Sequence, residues 1–222
     1  MKNDPPSTRV YVWDAPTRLF HWSIVVLLFV SWLSADQGYM NIHLWSGLTL
    51  LVLLLFRIGW GFAGATTARF SNFLHAPAKV IAYLKALAGG NKPLHAGHNP
   101  AGGLMVVALL AVLLAQATTG LFANDGLKFS GPLALLVSAD QSDRLTQIHG
   151  VIFNIILVLI WLHLVAIGFY FLVRGENLVG PMVTGKKHRA HVPEGVALAF
   201  TPPAIAIALL VLSAACAAWI LF

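Results

Sequence analysis

Five long apolar runs separated by polar segments set the pattern of this chain. They cover residues 19–33, 42–62, 101–122, 148–173 and 196–222. A membrane-spanning helix needs about 20 predominantly apolar residues to cross a hydrocarbon core about 30 Å thick. The first run gains length at its start, where Asp14 and Pro16 form a typical helix N-terminus. The pattern therefore predicts an all-α membrane protein with five transmembrane helices.

The polar segments between the runs predict how the helices are joined. The connection between the first two runs is short, so these helices are expected to be antiparallel neighbours. Within residues 63–100, Pro77 opens an amphipathic stretch, PAKVIAYLKAL, which indicates a helix lying at the membrane interface. The sequence Gly97-His98-Asn99-Pro100 indicates a turn into the third span. In the loop 123–145, the apolar patch 132–137 lies flat on the interface or covers something buried.

Composition supports the membrane class. Hydrophobic residues make up 58% of the chain and charged residues 10%, which excludes an ordinary soluble domain. The net charge of +6 is typical of basic cytoplasmic loops, so nucleic acid is not an expected partner. The single cysteine, Cys216, excludes an internal disulfide and a cysteine metal site, and the absence of C-x-x-C-H excludes thioether-linked haem. No signal peptide is expected in the polar N-terminal arm.

Basic residues are distributed unevenly between the two sides of the predicted membrane topology. One side holds Lys2, Arg9, Arg18, Arg69, Lys79, Lys85, Lys92, Arg174, Lys186, Lys187 and Arg189. The other side holds only Lys128 and Arg144. Because cytoplasmic loops carry the excess of Lys and Arg, the amino terminus is predicted to be cytoplasmic and the carboxyl terminus outside.

The fourth run carries two histidines, His149 and His163, with no acidic or basic residue between them. Ionisable side chains inside a membrane are energetically costly and usually functional. Fourteen residues of helix leave a rotation of about 40° and an axial separation of about 21 Å. The two imidazoles therefore share one face and lie near opposite membrane surfaces, so each needs its own partner.

The predicted topology supplies a partner at each depth. His21, at the start of the first span, matches His163 on the cytoplasmic side, and His43, at the start of the second span, matches His149 on the opposite side. Paired imidazoles across a helical bundle indicate two haems, each held by two histidines. Taken singly, His21 or His43 has the simpler interpretation of a solvated interfacial side chain. A zinc site is the other alternative, but it requires three or four ligands at one depth.

Several neighbouring residues are weaker candidates for the same site. Gly47, one turn from His43, and Gly150 would let a flat macrocycle approach the backbone, although small residues also mark helix–helix contacts. Arg57 lies on the face of His43 near the cytoplasmic haem, and Arg18 precedes His21. Both could pair with a haem propionate or extend to lipid headgroups. His98 and Asn99, at the start of the third span, are candidate neighbours of a quinone.

At these residues the sequence resembles the bacterial cytochrome b561 family, in particular the branch that includes the cytochrome b subunits of nickel–iron hydrogenases. The resemblance rests on VWDAPTRLFHW at 12–22, HLWSGLTLLVLLLFRIGWGFAG at 43–64, ARFSNF at 68–73, GHNPAGGL at 97–104, TGLFANDG at 119–126 and the two histidines of the fourth span. It implies that the family's four haem ligands correspond to His21, His43, His149 and His163. The expected fold is a four-helix haem-binding bundle over residues 1–175, followed by a cytoplasmic loop and an additional helix over residues 176–222.

The resemblance implies a multi-pass cytochrome of the bacterial inner membrane that binds two haem b groups. Such proteins carry electrons between the quinone pool and a periplasmic hydrogenase, dehydrogenase or c-type cytochrome. One alternative is a stand-alone quinone-linked oxidase of a small reductant such as superoxide, which a basic funnel outside the membrane would favour. The loop 123–145 has two basic residues and three acids, which gives that alternative little support. The other is a non-redox transporter or assembly factor, which would bind no haem.

Overall fold

Five helices of the computed structural model are long and apolar enough to cross a membrane, as the sequence predicts. The structure describes residues 9–91, 93–126 and 129–221. The α-helices are α1 (Ala15–Asp36), α2 (Met40–Ala63), α3 (Phe70–Phe73), α4 (Pro77–Ala88), α5 (Pro100–Leu121), α6 (Ala139–Leu172), α7 (Val179–Thr184) and α8 (Pro203–Leu221). The strands are β1 (Arg9–Tyr11) and β2 (Lys186–His188), and single 3-10 turns occupy Ala134–Leu136 and Arg189–His191.

The predicted helix starts are formed by side-chain caps. Asp14 accepts a hydrogen bond from the backbone N–H of Thr17 at 2.7 Å, and a proline occupies the first turn of α1. Asn99 caps α5 in the same way, accepting from the N–H of Gly102 at 2.8 Å. A short connection through Gly38, with φ of +74°, then joins α1 to α2 as antiparallel neighbours. The local sequence therefore fixes where these spans begin.

The fourth span is longer than its apolar run. The predicted boundary between the loop 123–145 and the span 148–173 is wrong, because α6 already begins at Ala139. A capping box formed by Ser138 and Gln141 starts the helix in polar sequence. Its 34 residues extend about 51 Å, well beyond a hydrocarbon core of about 30 Å. The first turns of α6 therefore project out of the membrane.

The core of the bundle combines side chains from four spans. Ile24 of α1, Leu54 of α2, Leu113 of α5 and Ile156 of α6 are buried in one apolar cluster. The fifth span packs outside this cluster against α2, where Leu209 lies close to Gly59. The structure is thus an all-α bundle of four membrane helices with a fifth helix attached to α2.

A small antiparallel sheet near the start of α1 was not predicted. β1 pairs with β2 in the register Arg9↔His188, Val10↔Lys187 and Tyr11↔Lys186. Both segments read as polar loops in the sequence, because three-residue strands carry no detectable alternation. The pairing ties the amino-terminal arm to the segment between α6 and α8.

The interfacial segment forms the expected amphipathic helix α4. Val80 and Tyr83 are buried against the bundle, while Leu84 is about half exposed. In the patch 132–137, Leu135 is 95% exposed, whereas Ala134 is buried. Three of the basic residues used to predict orientation, Lys2, Lys92 and Lys128, lie outside the described residues.

We refer to the end of the bundle where α1 begins as the amino-terminal end and to the opposite one as the far end. The amino-terminal end also contains the end of α2, the start of α5 and the end of α6. The far end contains the start of α2, the end of α5 and the first turns of α6.

Candidate haem-binding sites

The four histidines of the membrane spans form two pairs. His43 of α2 faces His149 of α6 near the far end, with 6.1 Å between ring centroids. His21 of α1 faces His163 of α6 near the amino-terminal end, with 6.4 Å between ring centroids. The folded chain therefore brings together the residues that the sequence places at equal depths, and α6 contributes to both pairs.

The ring separations suit a metal ion held between two imidazoles. Imidazole nitrogen binds a first-row metal such as zinc at about 2.0–2.1 Å, and each nitrogen is about 1.1 Å from its ring centre, so two trans ligands have centroids about 6.2–6.4 Å apart. The observed separations of 6.1 and 6.4 Å match this value. No group of three or more His, Cys, Asp or Glu side chains in the described part of the chain is arranged to hold a metal ion. Two facing imidazoles at this separation fit haem iron, whose remaining ligands come from the porphyrin.

His43 is held by the backbone of α1. Its Nδ1 lies 2.9 Å from the carbonyl oxygen of Ser31 and 3.2 Å from the Ser31 hydroxyl. A carbonyl can only accept, so Nδ1 of His43 carries a proton and donates it. The lone pair of Nε2 is thereby left for a metal, as in the outer-shell arrangement that orients most metal-binding histidines.

His149 is held in the same way by α5. Its Nδ1 donates to the carbonyl of Gln116 at 2.9 Å and lies 3.2 Å from the hydroxyl of Thr119. Gly120 permits this approach, since a Cβ at that position would lie 2.9 Å from Cε1 of the imidazole. The Gln116 side-chain amide donates to Nε2 at 3.0 Å, and it must rotate away for that nitrogen to bind iron.

The sequence alone does not identify Gln116, Thr119 or Gly120 as site residues. The available signal was a polar residue inside an apolar helix, followed one turn later by a glycine. That signal identifies a close helix contact, but it does not show which imidazole packs there.

The histidine pair at the amino-terminal end has a different environment. Nδ1 of His21 is buried and has no hydrogen-bond partner among the described residues. The rings nearest to His21 are those of Trp22, at 5.0 Å, and His163. His163 likewise makes no hydrogen bond within the described chain. Neither of these imidazoles is therefore oriented by a backbone carbonyl.

Arg57 is the most buried charged side chain near this pair, with 2% of its surface exposed. One guanidinium nitrogen donates to the carbonyl of Ala68 at 3.2 Å, and the group lies 5.4 Å from the ring centre of Phe70. The other terminal nitrogen is buried and has no hydrogen-bond partner among the residues that the structure describes. Because Arg57 is buried against protein groups, it does not extend to lipid headgroups. An unpaired guanidinium N–H fits an anionic group such as a haem propionate.

Comparison with protein families gives the identification. Residues 12–185 match the family described as prokaryotic cytochrome b561. The chain belongs to the prokaryotic cytochrome b561 family. It is therefore a multi-pass membrane protein and a b-type cytochrome of electron transfer, and the family implies bound b-type haem. A comparison with curated proteins finds no match.

The remaining candidate site residues differ in their surroundings. Arg18 donates to the carbonyl of Val183 at 2.6 Å and to the hydroxyl of Tyr11 at 3.1 Å, so it already joins α1 to α7 and β1. A Cβ at Gly47 or at Gly150 would meet no atom within 4 Å. These two glycines therefore border open space beside the far-end pair and are not in tight helix contacts.

His98 is a buried side chain at the amino-terminal end of the bundle. Its ring packs 4.7 Å from that of Trp13 and 4.8 Å from that of Phe73, and its Nδ1 is buried without a partner. Burial, followed by repulsion from Arg57, His163 and His21, lowers the pKa of His98 to about 3. His98 is therefore neutral at physiological pH and lies within electrostatic range of the amino-terminal site.

Asn99 belongs to a polar network beside a cavity of about 230 Å³. Its amide donates to the hydroxyl of Tyr170 at 2.9 Å, and Tyr170 is hydrogen-bonded to Tyr83. Burial raises the pKa of the Tyr83 hydroxyl, so it stays protonated as a donor. Both tyrosines line the cavity together with Arg174 and Glu176. Asn99 thus fixes the helix start and one wall of this cavity.

Proposed function

We propose that this protein binds two haem b groups and carries electrons across the bacterial inner membrane. The partners would be the quinone pool and a periplasmic redox protein, namely a c-type cytochrome, a hydrogenase or a dehydrogenase, as in the hydrogenase-subunit branch of the family. One observation carries the proposal: two facing histidine pairs, 6.1 and 6.4 Å between ring centroids, share the single helix α6.

The residues of the chain have separate tasks in this proposal. Haem held by a pair of histidines would supply one-electron, outer-sphere chemistry. The carbonyl groups of α1 and α5 accept from Nδ1 of His43 and His149 and so orient both rings, which leaves Nε2 of each ring for the metal. Between the two pairs, the apolar cluster around Ile24, Leu54 and Ile156 excludes water and keeps the pairs apart. The spacing of α6 sets an axial ligand separation of about 21 Å.

Membrane orientation follows from charge. We place the amino-terminal end in the cytoplasm, because Arg9, Lys79, Lys85, Lys186 and Arg189 lie in segments at that end. The far end, with the His43/His149 pair, then faces the periplasm. In the same scheme residues 1–175 form the unit that binds both haems, and residues 176–222 add a cytoplasmic loop and the helix that packs on α2.

A quinone is proposed to bind at the cytoplasmic end, near His98 and Asn99. The cavity lined by Tyr83, Tyr170 and Arg174 supports this position, since it offers hydroxyl and guanidinium donors for a quinone oxygen. His98 connects this region to the amino-terminal haem site through its electrostatic contact with His21 and His163.

The direct test is optical spectroscopy of the purified protein. A reduced-minus-oxidised spectrum should show b-type bands, and His163→Ala should remove one haem while leaving most of the other. Loss of neither haem would refute the ligand assignment. Absence of b-type bands in the wild-type protein would refute haem binding and favour a non-redox membrane protein. Copurification of a c-type cytochrome or a hydrogenase from native membranes would identify the partner class.

A further inference from the structure

The two histidine pairs differ in the hydrogen bonds made by Nδ1, the imidazole nitrogen that would not bind the metal. At the far end, Nδ1 of His43 donates to the Ser31 carbonyl and Nδ1 of His149 to the Gln116 carbonyl, both at 2.9 Å. At the amino-terminal end, Nδ1 of His21 is buried without a partner, and His163 makes no hydrogen bond to any described residue. The asymmetry is complete, since both ligands of one pair are bonded and neither ligand of the other is.

These hydrogen bonds change the ligand strength of the imidazole. Donation of the Nδ1 proton to a carbonyl raises the basicity of Nε2. A more basic axial ligand stabilises ferric iron relative to ferrous iron, because the oxidised metal has the greater positive charge. Two such bonds at the far-end site therefore lower its reduction potential.

A buried positive charge near the amino-terminal site raises the reduction potential there, which adds to the difference between the two sites. His98 interacts electrostatically with Arg57 and with both His21 and His163, so the guanidinium lies at the same end as this pair. A nearby positive charge favours the reduced state, which carries one less positive charge. The carboxylate of Asp14, which interacts with Arg57, offsets part of this effect. The negative charge of Asp14 is stabilised by hydrogen bonds from the N–H of Thr17 and from the indole N–H of Trp60.

We propose that the far-end pair is the low-potential haem site and the amino-terminal pair the high-potential site. An electron would then move spontaneously from the far end to the amino-terminal end. In that step one ferrous iron is oxidised, one ferric iron is reduced, and no proton or bond is transferred. The inference rests on the proposed haem function, and it adds a direction of electron flow toward the end that holds the Tyr83/Tyr170 cavity.

The experiment is a potentiometric titration of the haem-loaded protein, followed by visible absorbance. We expect two midpoints that differ by at least a tenfold equilibrium constant, equivalent to about 59 mV for one electron. Gly120→Ala should push the His149 ring away from the Gln116 carbonyl and raise the lower midpoint only. Gly168→Ala is the matched control, because a Cβ there meets no atom within 4 Å and should leave both midpoints unchanged.

Arg57→Met provides a second and independent variant. Loss of the buried charge should lower the higher midpoint and leave the lower one in place. Two haems with equal midpoints, or a Gly120→Ala shift confined to the higher midpoint, would overturn the inference while leaving haem binding intact. If a variant fails to bind haem, the other variant still assigns the two midpoints. Absence of haem from the wild-type protein would overturn the proposed function and this inference together.

Discussion

His149 and His163 lie fourteen residues apart on α6, and each faces a histidine of a different helix. The arrangement makes α6 the shared support of both candidate haem sites. Any change in the length of this segment would move the two sites relative to each other. The pairing itself can be tested by comparing single and double substitutions.

Substitution of both members of a pair should be no worse than substitution of one. We expect His21→Ala and His163→Ala each to lose one of two haems, and the double variant to lose the same one. His21→Ala combined with His149→Ala should lose both. The haem-to-protein ratio measures the outcome, with the exposed His188→Ala as control. Additive loss for His21 and His163 would show that they bind different groups.

Bulk at Gly47 should block the far-end site. This position borders open space one turn from His43, so the fold tolerates a side chain there that a macrocycle would not. Gly47→Phe is expected to lose the far-end haem and to retain the other. Gly168→Phe, at a second open position, should retain both. Full haem content in Gly47→Phe would place the macrocycle elsewhere.

Removing one partner of the buried ion pair that anchors β2 should destabilise the protein more than removing both partners. Lys187, 7% exposed, lies 2.6 Å from Glu176 and donates to the carbonyl of His95 at 2.8 Å. Lys187→Met leaves a largely buried carboxylate and should cost about 3 kcal/mol. Adding Glu176→Leu should recover much of that loss.

Unfolding in detergent, followed by circular dichroism, measures these changes. The exposed pair Arg144–Asp140 is the control, and Arg144→Ala should have no measurable effect. Equal losses in the single and double variants of Lys187 would contradict the electrostatic explanation.

Acid should destabilise the protein partly through His98. Its pKa is about 3 in the folded chain and about 6.5 when unfolded, so above pH 6.5 the group is neutral in both states. As the pH falls below 6.5, the unfolded state binds a proton that the folded state does not, and stability decreases. His98→Leu should therefore lose less thermal stability than wild type between about pH 7.5 and about pH 5. Equal losses of thermal stability in the wild type and in His98→Leu over this pH range would contradict a role for His98.

The sequence predicts most of this fold because the governing signals are local. Apolar runs give five spans, and caps at Asp14 and Asn99 give two helix starts. The depths of the histidines predict the pairs, since helical rise converts residue number into height. The start of α6 at Ala139 was missed because hydropathy does not report a helix that continues beyond the membrane.

The outer contacts of the site depend on packing between helices. Which carbonyl receives the Nδ1 proton of His43 or His149 depends on the rotation of α1 and α5, which no local pattern encodes. The same applies to the β1–β2 pairing, which joins segments more than 170 residues apart. The sequence predicts the end of the bundle at which Arg57 lies. Its hydrogen bond to the Ala68 carbonyl and its burial become visible only in the folded chain.

The most direct test of the central claim is the number and ligation of haems in the purified wild-type protein. Haem content per polypeptide, combined with electron paramagnetic resonance of the oxidised form, should give two b-type haems, both low-spin and six-coordinate. Neither should bind carbon monoxide after reduction. A single haem per chain, or a high-spin haem that binds carbon monoxide, would contradict two bis-histidine sites supported by α6.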